Sequence, residues 1–393
     1  MNIFKKVYGR IFQKIMYVAS MFLNFRKPTI LRTNENVLDI LVKLKKQNIL
    51  ILTSNPLIKT IPYQNLENVL KKKLNVFVYL DIPSDPDVID IEKAISFAKE
   101  NNIDSIVAIG GGSIMDAGKV IAARLADLKR SIAKMKGLLK IRKKPLTLIA
   151  VPTTAGTGSE CTVVAVVSDK ANNQKYAIND PKLIPYYTLH NPEFLYSMPS
   201  FFTSTTGLDA LTHAIEAFIG KSNTKETFKN ALTAIKLIDK SLVLSYKEPT
   251  NKDARTAMQE ASYLAGCAFT KAYVGYVHAI SHALAAKYHL PHGYLNAIVL
   301  PIVLEEYGSS INKKLNIISK ELSGNQNINF ISYIKELLEK LEIKNTMGDV
   351  IKESDYPDML KHINAELYPL YPVPKYFSNE DLIKIFNRIK NNA

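Results

Sequence analysis

Alternation of β-rich and helical segments, up to about residue 154, most constrains how this chain can fold. Apolar β-rich runs lie at 48–54, 74–81, 104–113 and 146–154, and the segment 90–102 between two of them has helical apolar spacing. Strands that alternate with helices form a parallel sheet whose crossover helices cover its faces. The pattern therefore predicts an α/β domain built on a parallel sheet.

The rest of the chain has helical apolar spacing almost to its end. Helices are predicted at 208–220, 227–242 and 256–269, and the Ser- and Thr-rich segment 198–207 is predicted to be a loop-like join. The length agrees, because 393 residues accommodate about two domains. We expect a basic amphipathic leader helix at 1–26, an α/β domain at 27–198 and an all-helical domain at 199–393.

The leader places apolar side chains at helical spacing with basic side chains between them. Its apolar positions include Phe4, Ile11 and Phe22, and its basic positions include Lys5 and Lys14. Three interpretations stay open: the helix packs on the body or on another subunit, residues 1–24 make a weak membrane-surface contact, or the segment directs export.

Charge and cysteine content limit which partners the chain can have and in which compartment it is expected. The net charge is +15, but the excess is spread along the chain without zinc-finger spacing or a long Arg/Lys block, so we expect no nucleic-acid partner. The two cysteines, Cys161 and Cys267, are far apart and outside CxxC pairs, which favours a reducing, cytoplasmic location. No apolar run reaches the length of a transmembrane helix.

The stretch 108–120, AIGGGSIMDAGKV, follows a buried strand and opens a helix. Consecutive glycines let the backbone approach an anion, and the helix amino terminus favours negative charge. Ser113 can cap this helix, and Asp116 either holds the loop or reaches a sugar hydroxyl. The alternative for this stretch alone is a tight strand-to-helix turn.

A second loop, PTTAGTGSECT at 152–162, supplies hydroxyl groups after the next buried strand. Ligands of open parallel sheets bind at the carboxyl ends of the strands, where both loops would lie. The pair of loops therefore favours a dinucleotide site.

Carboxylate and imidazole groups recur in the helical half at metal-ligand spacing. Asp209 and His213 are four residues apart, as are His278 and His282, and His292 follows in a turn-like LPHG. One carboxylate with three imidazoles makes a site for Fe²⁺ or Zn²⁺. Spacing alone does not separate His282 and His289 from the ligands.

Four motifs together resemble the iron-containing (group III) alcohol dehydrogenases: GGGSIMD, PTTAGTGSE, GLDALTHAIE and HAISHALAAKYHLPHGYLNAIVLP, in order over roughly 27–390. The resemblance implies the metal ligands Asp209, His213, His278 and His292. It implies that His282 lies near the nicotinamide as a proton relay, and it gives His289 no functional role. The implied cofactor positions are Gly110, Gly111, Gly112, Ser113, Thr153, Thr154, Thr157 and Lys175.

The resemblance implies a metal-dependent alcohol dehydrogenase that transfers hydride between a small primary alcohol or aldehyde and NAD(P). Fe²⁺ is the implied metal, with Zn²⁺ as the alternative, and we expect a homodimer. Ser54 stands where many NAD-using members have Asp, which leaves NAD versus NADP open. The rival functions are a glycerol-dehydrogenase-like polyol oxidoreductase of the same fold, a metal-dependent hydrolase without nucleotide, and a non-catalytic binding protein.

Overall fold

Six β-strands form one parallel sheet. The structure is a computed structural model that describes residues 3–23, 25–172, 174–323 and 328–391. The strands of this sheet are β1 Thr29–Leu31, β2 Asn48–Leu52, β3 Asn75–Tyr79, β4 Ser105–Gly110, β6 Thr147–Pro152 and β9 Tyr187–Leu189. Their order in the sheet is β1-β9-β6-β4-β2-β3, and every neighbouring pair is parallel.

The sheet confirms the predicted fold class and explains the apolar runs. All six residues of β4 are buried, because crossover helices cover parallel strands on both faces. The helices of this half are α2 Asn34–Lys43, α3 Ile61–Lys71, α4 Val88–Glu100 and α5 Gly112–Ala126. A smaller three-stranded sheet, which the sequence did not predict, consists of β5 Gly137–Leu138, β7 Val164–Asp169 and β8 Gln174–Asn179 in the order β5-β8-β7.

In the second half of the described residues, all the regular secondary structure is helical. The α-helices are α6 Ser200–Ile219, α7 Lys225–Lys247, α8 Lys252–Ala272, α9 Tyr276–Tyr288, α10 His292–Tyr307, α11 Asn312–Ser323, α12 Phe330–Lys340, α13 Tyr356–Leu367 and α14 Asn379–Asn391. Local capping fixes where several of them begin; Thr224, for example, forms a capping box with Thr227 at the start of α7.

The predicted loop-like join at 198–207 is wrong, because α6 already begins at Ser200. Its hydroxyl side chains do not break the helix. Instead Ser204, Thr205 and Thr206 donate to carbonyls three or four residues earlier, at Phe201 and Phe202. Such back-bonding makes hydroxyl residues compatible with a helix interior.

The chain divides into two compact units, Asn24–Met198 and Met1–Leu23 with Pro199–Ala393. The leader helix, α1 Ile3–Met21, belongs to the second unit, whereas Arg26 donates to the carbonyls of Ile184 and Lys182 in the first. In the part of the chain that the structure describes, no helix is both long enough and apolar enough to cross a bilayer.

Candidate metal centre and dinucleotide loops

Helix α6 positions the first two predicted metal ligands. Asp209 and His213 lie one turn apart and are both buried, with His213 Nδ1 3.9 Å from Asp209 Oδ2. The His213 ring stacks on Phe269 at 4.1 Å between centroids and lies 4.4 Å from the His278 ring. The helix thus delivers one carboxylate and one imidazole to the same buried place.

His278 on α9 and His292 at the start of α10 approach the same carboxylate. Asp209 Oδ1 is 3.8 Å from His278 Nε2 and 3.5 Å from His292 Nε2. Potential ligand atoms of these three residues all lie within 4.8 Å of one another. Bonds of about 2.1 Å to a tetrahedral ion would separate its ligand atoms by about 3.4 Å. The donor types and their spacing therefore fit a divalent cation.

The imidazoles of the cluster are held in the neutral form that binds metals. Burial lowers the pKa of His278 well below its ordinary value, and it lowers the pKa of His292 to about 4. A neutral imidazole keeps one ring nitrogen unprotonated and available to a cation.

Glu216 supports the cluster from behind and was not predicted from the sequence. Its Oε2 lies 2.7 Å from His278 Nδ1, and its two oxygens accept the backbone N–H groups of Gly275 and Val277 at 2.7 Å each. Burial raises the pKa of this carboxyl to about 7. A carboxylate behind an imidazole fixes the tautomer, so that Nε2 of His278 carries the lone pair that faces Asp209.

Asn296 is a second residue that the sequence analysis missed. Its amide nitrogen donates to Asp209 Oδ1 at 2.7 Å and lies 3.0 Å from His292 Nε2 and 3.3 Å from His278 Nε2. The side chain is fully buried, and its Oδ1 has no hydrogen-bond partner among the described residues. A half-turn of the amide would bring this oxygen, a potential metal ligand, among the three ligand atoms. Its spacing of four residues from His292 was the available signal.

His282 lies at the edge of the cluster. Its ring stacks on His292 at 4.8 Å, and its side chain is 42% exposed. Nδ1 is 2.6 Å from Glu366 Oε1, which also accepts the Tyr371 hydroxyl at 2.8 Å. Burial would raise the pKa of Glu366, but His282 and the hydrogen bonds from His282 and Tyr371 hold it below its ordinary value. An imidazole between buried ligands and solvent can carry a proton.

His289 lies outside this cluster of histidines. It is exposed and ends α9 with a left-handed backbone conformation at φ 53°. That His289 has no functional role stays a prediction.

The two glycine- and threonine-containing loops meet at the carboxyl ends of β4 and β6, which are neighbours in the sheet. The Thr153 N–H donates to the Gly110 carbonyl at 3.1 Å, which extends the pairing beyond the strands. A Cβ atom at Gly112 would lie 3.0 Å from Thr157, so a side chain there would crowd the second loop. The predicted positions thus lie side by side in the two loops, with Gly110 and Thr153 buried: Gly110, Gly111, Gly112, Thr153, Thr154 and Thr157.

Helix α5 begins in the first of these two loops, at Gly112. Its amino-terminal cap is Gly111 rather than the predicted Ser113, which lies within the first turn and donates to the Ser84 carbonyl. Helix amino termini bind phosphate groups through backbone N–H groups and the helix dipole. The arrangement fits the diphosphate of a dinucleotide.

Asp116 holds the second loop in place. One carboxylate oxygen accepts the Ser159 hydroxyl at 2.6 Å, and the other accepts the Val166 N–H at 3.0 Å. These contacts match the first of its two predicted roles, that of holding the loop.

Lys175, on β8, is linked to the same region. Its Nζ lies 2.8 Å from Asp85, and the adjacent Ser84 accepts from Ser113 at the start of α5. The lysine side chain is 62% exposed, so it adds positive charge at the border of the loops.

Comparisons with known proteins agree with this architecture. A sequence profile described as iron-containing alcohol dehydrogenase matches residues 29–192, and one described as Fe-containing alcohol dehydrogenase family, C-terminal, matches residues 203–390. Alcohol dehydrogenase 4 of Saccharomyces cerevisiae is 41% identical over 235 residues, which are 60% of this chain and 61% of the yeast protein. The match thus spans about three fifths of the length of that relative.

Solved structures resemble the chain over nearly its whole length. A 1,3-propanediol oxidoreductase is 27% identical with a TM-score of 0.88, and the match covers 93% of this chain and 99% of that one. Sulfoacetaldehyde reductase from Bifidobacterium kashiwanohense, solved in complex with NAD⁺, is 26% identical with a TM-score of 0.87, and the match covers 94% and 99% of the two chains.

Proposed function

Because the chain belongs to the iron-containing alcohol dehydrogenase family, we propose that it interconverts small primary alcohols and aldehydes with NAD(P) as the hydride carrier. This membership confirms the family that the motifs predicted. The predicted oxidoreductase class, the iron and the nicotinamide cofactor are all typical of that family. The observation that carries the proposal is the cluster of Asp209, His278 and His292, in which Asp209 and His278 are buried, with Glu216 behind it.

The carboxy-terminal residues 199–393 would hold the metal, and Asp209, His213, His278 and His292 are its proposed ligands. Fe²⁺ is the proposed ion, with Zn²⁺ as the alternative. When bound, such an ion acts as a Lewis acid that polarises the oxygen of the alcohol or aldehyde.

Protein side chains would do the remaining work around this oxygen. Glu216 keeps His278 Nε2 directed at the ligand set, since it engages the other ring nitrogen. His282 would accept the proton that the alcohol releases and pass it to solvent, with Glu366 holding its ring in place. The exposed edge of His282 supports this assignment.

Residues 27–198 would bind the dinucleotide. Backbone N–H groups at Gly111, Gly112 and Ser113 would bind the diphosphate. Hydroxyl and ammonium groups would come from Thr153, Thr154, Thr157 and Lys175. Asp116 contributes by holding the threonine loop.

A cytoplasmic location and a homodimer are further parts of this proposal. The location rests on two cysteines without CxxC spacing. Among rival functions, the polyol oxidoreductase shares the fold, and a hydrolase would not need the two loops at the ends of β4 and β6.

A substrate panel tests the proposal. The protein is loaded anaerobically with Fe²⁺ or Zn²⁺ and assayed with short primary alcohols, glycerol and ester substrates in the presence of NAD⁺ or NADP⁺. We expect reduction of the nicotinamide with primary alcohols and the reverse reaction with aldehydes. Turnover of glycerol alone would favour the polyol enzyme, and ester cleavage without nucleotide would contradict dehydrogenase function.

A further inference from the structure

The leader helix α1 turns its polar face toward the protein. Gly9 and Gln13 are the buried residues of this face. Gln13 Nε2 donates to the carbonyls of Pro369 and Tyr371 at 2.9 and 2.8 Å, and a Cβ at Gly9 would lie 2.7 Å from the Tyr376 hydroxyl. The Arg10 guanidinium lies 4.3 Å from the centroid of the Tyr376 ring. The helix is therefore docked by small and polar groups.

The opposite face of α1 and the residue that follows it expose eight large apolar side chains. Residues two apart on a helix point about 160° apart, so Ile11 and Ile15 point away from the docked Gln13. The exposed fractions are 79% for Phe4, 52% for Val7, 57% for Tyr8, 53% for Ile11, 61% for Ile15, 52% for Val18, 62% for Met21 and 86% for Phe22. A continuous exposed apolar face of this kind marks an interaction surface.

The charges around this apolar face indicate which kind of partner it binds. The first 33 residues contain seven Lys or Arg residues and no Asp or Glu. Lys5, Lys6 and Lys14 on α1 are exposed beside the apolar side chains. Pairing of α1 with the α1 of a second copy would oppose like charges, whereas anionic lipid headgroups complement them.

We propose that α1 is a membrane-surface anchor that lies in the plane of an anionic bilayer, with its apolar face in the headgroup–acyl boundary and Gln13 holding it to the carboxy-terminal unit. A helix of 19 residues is about 28 Å long, but basic residues interrupt its apolar positions, and it does not meet the requirements for crossing a bilayer. Amphipathic basic helices with this composition lie on membranes rather than span them. The inference is independent of the proposed reaction.

Flotation with lipid vesicles tests the anchor. The full-length protein is mixed with vesicles of phosphatidylcholine alone or with about 30% phosphatidylserine, at low and high salt. We expect binding to the anionic vesicles, at least about tenfold weaker binding to neutral ones, and a decrease with salt. The double variant Ile11→Asp/Ile15→Asp should lose the binding.

The control is Ile61→Asp, a single change of the same kind at a side chain that is 70% exposed and lies outside α1. This variant should bind like the wild type, and all three proteins should oxidise a water-soluble alcohol equally. Failure of the wild type to bind anionic vesicles overturns the anchor. Equal binding by the double variant also overturns it. A wild type that binds no vesicles, and whose dimer becomes a monomer in the double variant, would instead assign the face to a second copy.

Discussion

At the scale of single residues, we expect Glu216 to determine how well His278 would bind the proposed metal ion. Glu216→Gln keeps the shape of the side chain but replaces the charged acceptor behind His278 Nδ1. Losing such a partner typically lowers metal affinity about 10–100-fold. We expect this loss in a metal titration of Glu216→Gln.

The control for this prediction is Glu226→Gln, the same substitution at a glutamate that is 39% exposed and paired with Lys271. Its metal affinity should match that of the wild type. An unchanged affinity in Glu216→Gln would show that His278 does not depend on this carboxylate.

Substitution of His282 distinguishes a loss of proton transfer from a loss of metal binding. Because its ring adjoins the ligands but faces Glu366, His282→Ala should keep the metal and slow turnover by about 10²–10⁴-fold. Metal content and the pre-steady-state rate are measured on the same preparation. Loss of metal together with activity would place His282 among the ligands and disprove the relay.

Ser54 bears on the choice between NAD and NADP. It follows β2, and its carbonyl accepts the N–H groups of Leu57 and Ile58 in a tight turn. A serine here lacks the charge that would repel a 2′-phosphate, and Lys59 nearby is exposed. We expect the wild type to use NADP(H) at least as well as NAD(H), and Ser54→Asp to shift the preference toward NAD.

The comparison is the ratio of kcat/KM for the two cofactors, with Asn55→Asp as a neighbouring charge control. A shift of equal size in Asn55→Asp would mean that general charge, and not position 54, sets the preference. A wild type that prefers NAD by about 100-fold, about 2.7 kcal/mol, with no change in Ser54→Asp would assign the choice to another residue.

At the scale of elements, α6 is the helix that carries two of the four proposed metal ligands, Asp209 and His213. Its carboxyl end is capped from outside, because Lys314 Nζ donates to the carbonyls of Phe218, Ile219 and Gly220 at 2.9, 3.1 and 2.7 Å. A cation at this position satisfies terminal carbonyls and favours the negative end of the helix dipole. The cap therefore stabilises the helix that carries Asp209 and His213.

Lys314→Met removes the cap and keeps most of the side-chain volume. We expect the free energy of unfolding to fall by about 1–3 kcal/mol, the scale of hydrogen bonds made by a charged group. Urea denaturation measures it, and Lys313→Met, at the exposed neighbouring residue, serves as the control. Equal stability of the two variants would show that the cap contributes nothing.

The elements also show what sequence patterns can predict. The apolar runs at 48–54, 104–113 and 146–154 contain strands of the parallel sheet. They were predictable because such strands are buried on both faces and are therefore continuously apolar. The segment 198–207 was mistaken for a loop because hydroxyl residues favour loops on average, whereas here they bond back to their own helix. The strands Thr29–Leu31 and Tyr187–Leu189 have three residues each, too few to show a pattern.

At the scale of the whole molecule, the sequence indicated the candidate ligands but not the residues that hold them in place. Asp209, His278 and His292 lie together, and the i,i+4 spacing of Asp209 and His213 places those two residues on one face of α6. Glu366 lies 84 residues from its partner His282, and only the packing of α13 against α9 brings the two together. Glu216 and Asn296 lay on faces shared with ligands, at seven residues from Asp209 and four from His292, and that spacing could have identified them.

We propose that Asp209, His213, His278 and His292 hold one divalent ion that the reaction requires. Elemental analysis of anaerobically prepared wild type, His278→Ala and the exposed control His289→Ala tests it most directly. We predict about one ion per chain in the wild type and in His289→Ala. In His278→Ala, metal and alcohol oxidation should be lost together, while fluorescence of bound NAD(P)H persists. Full metal content in His278→Ala would contradict the claim.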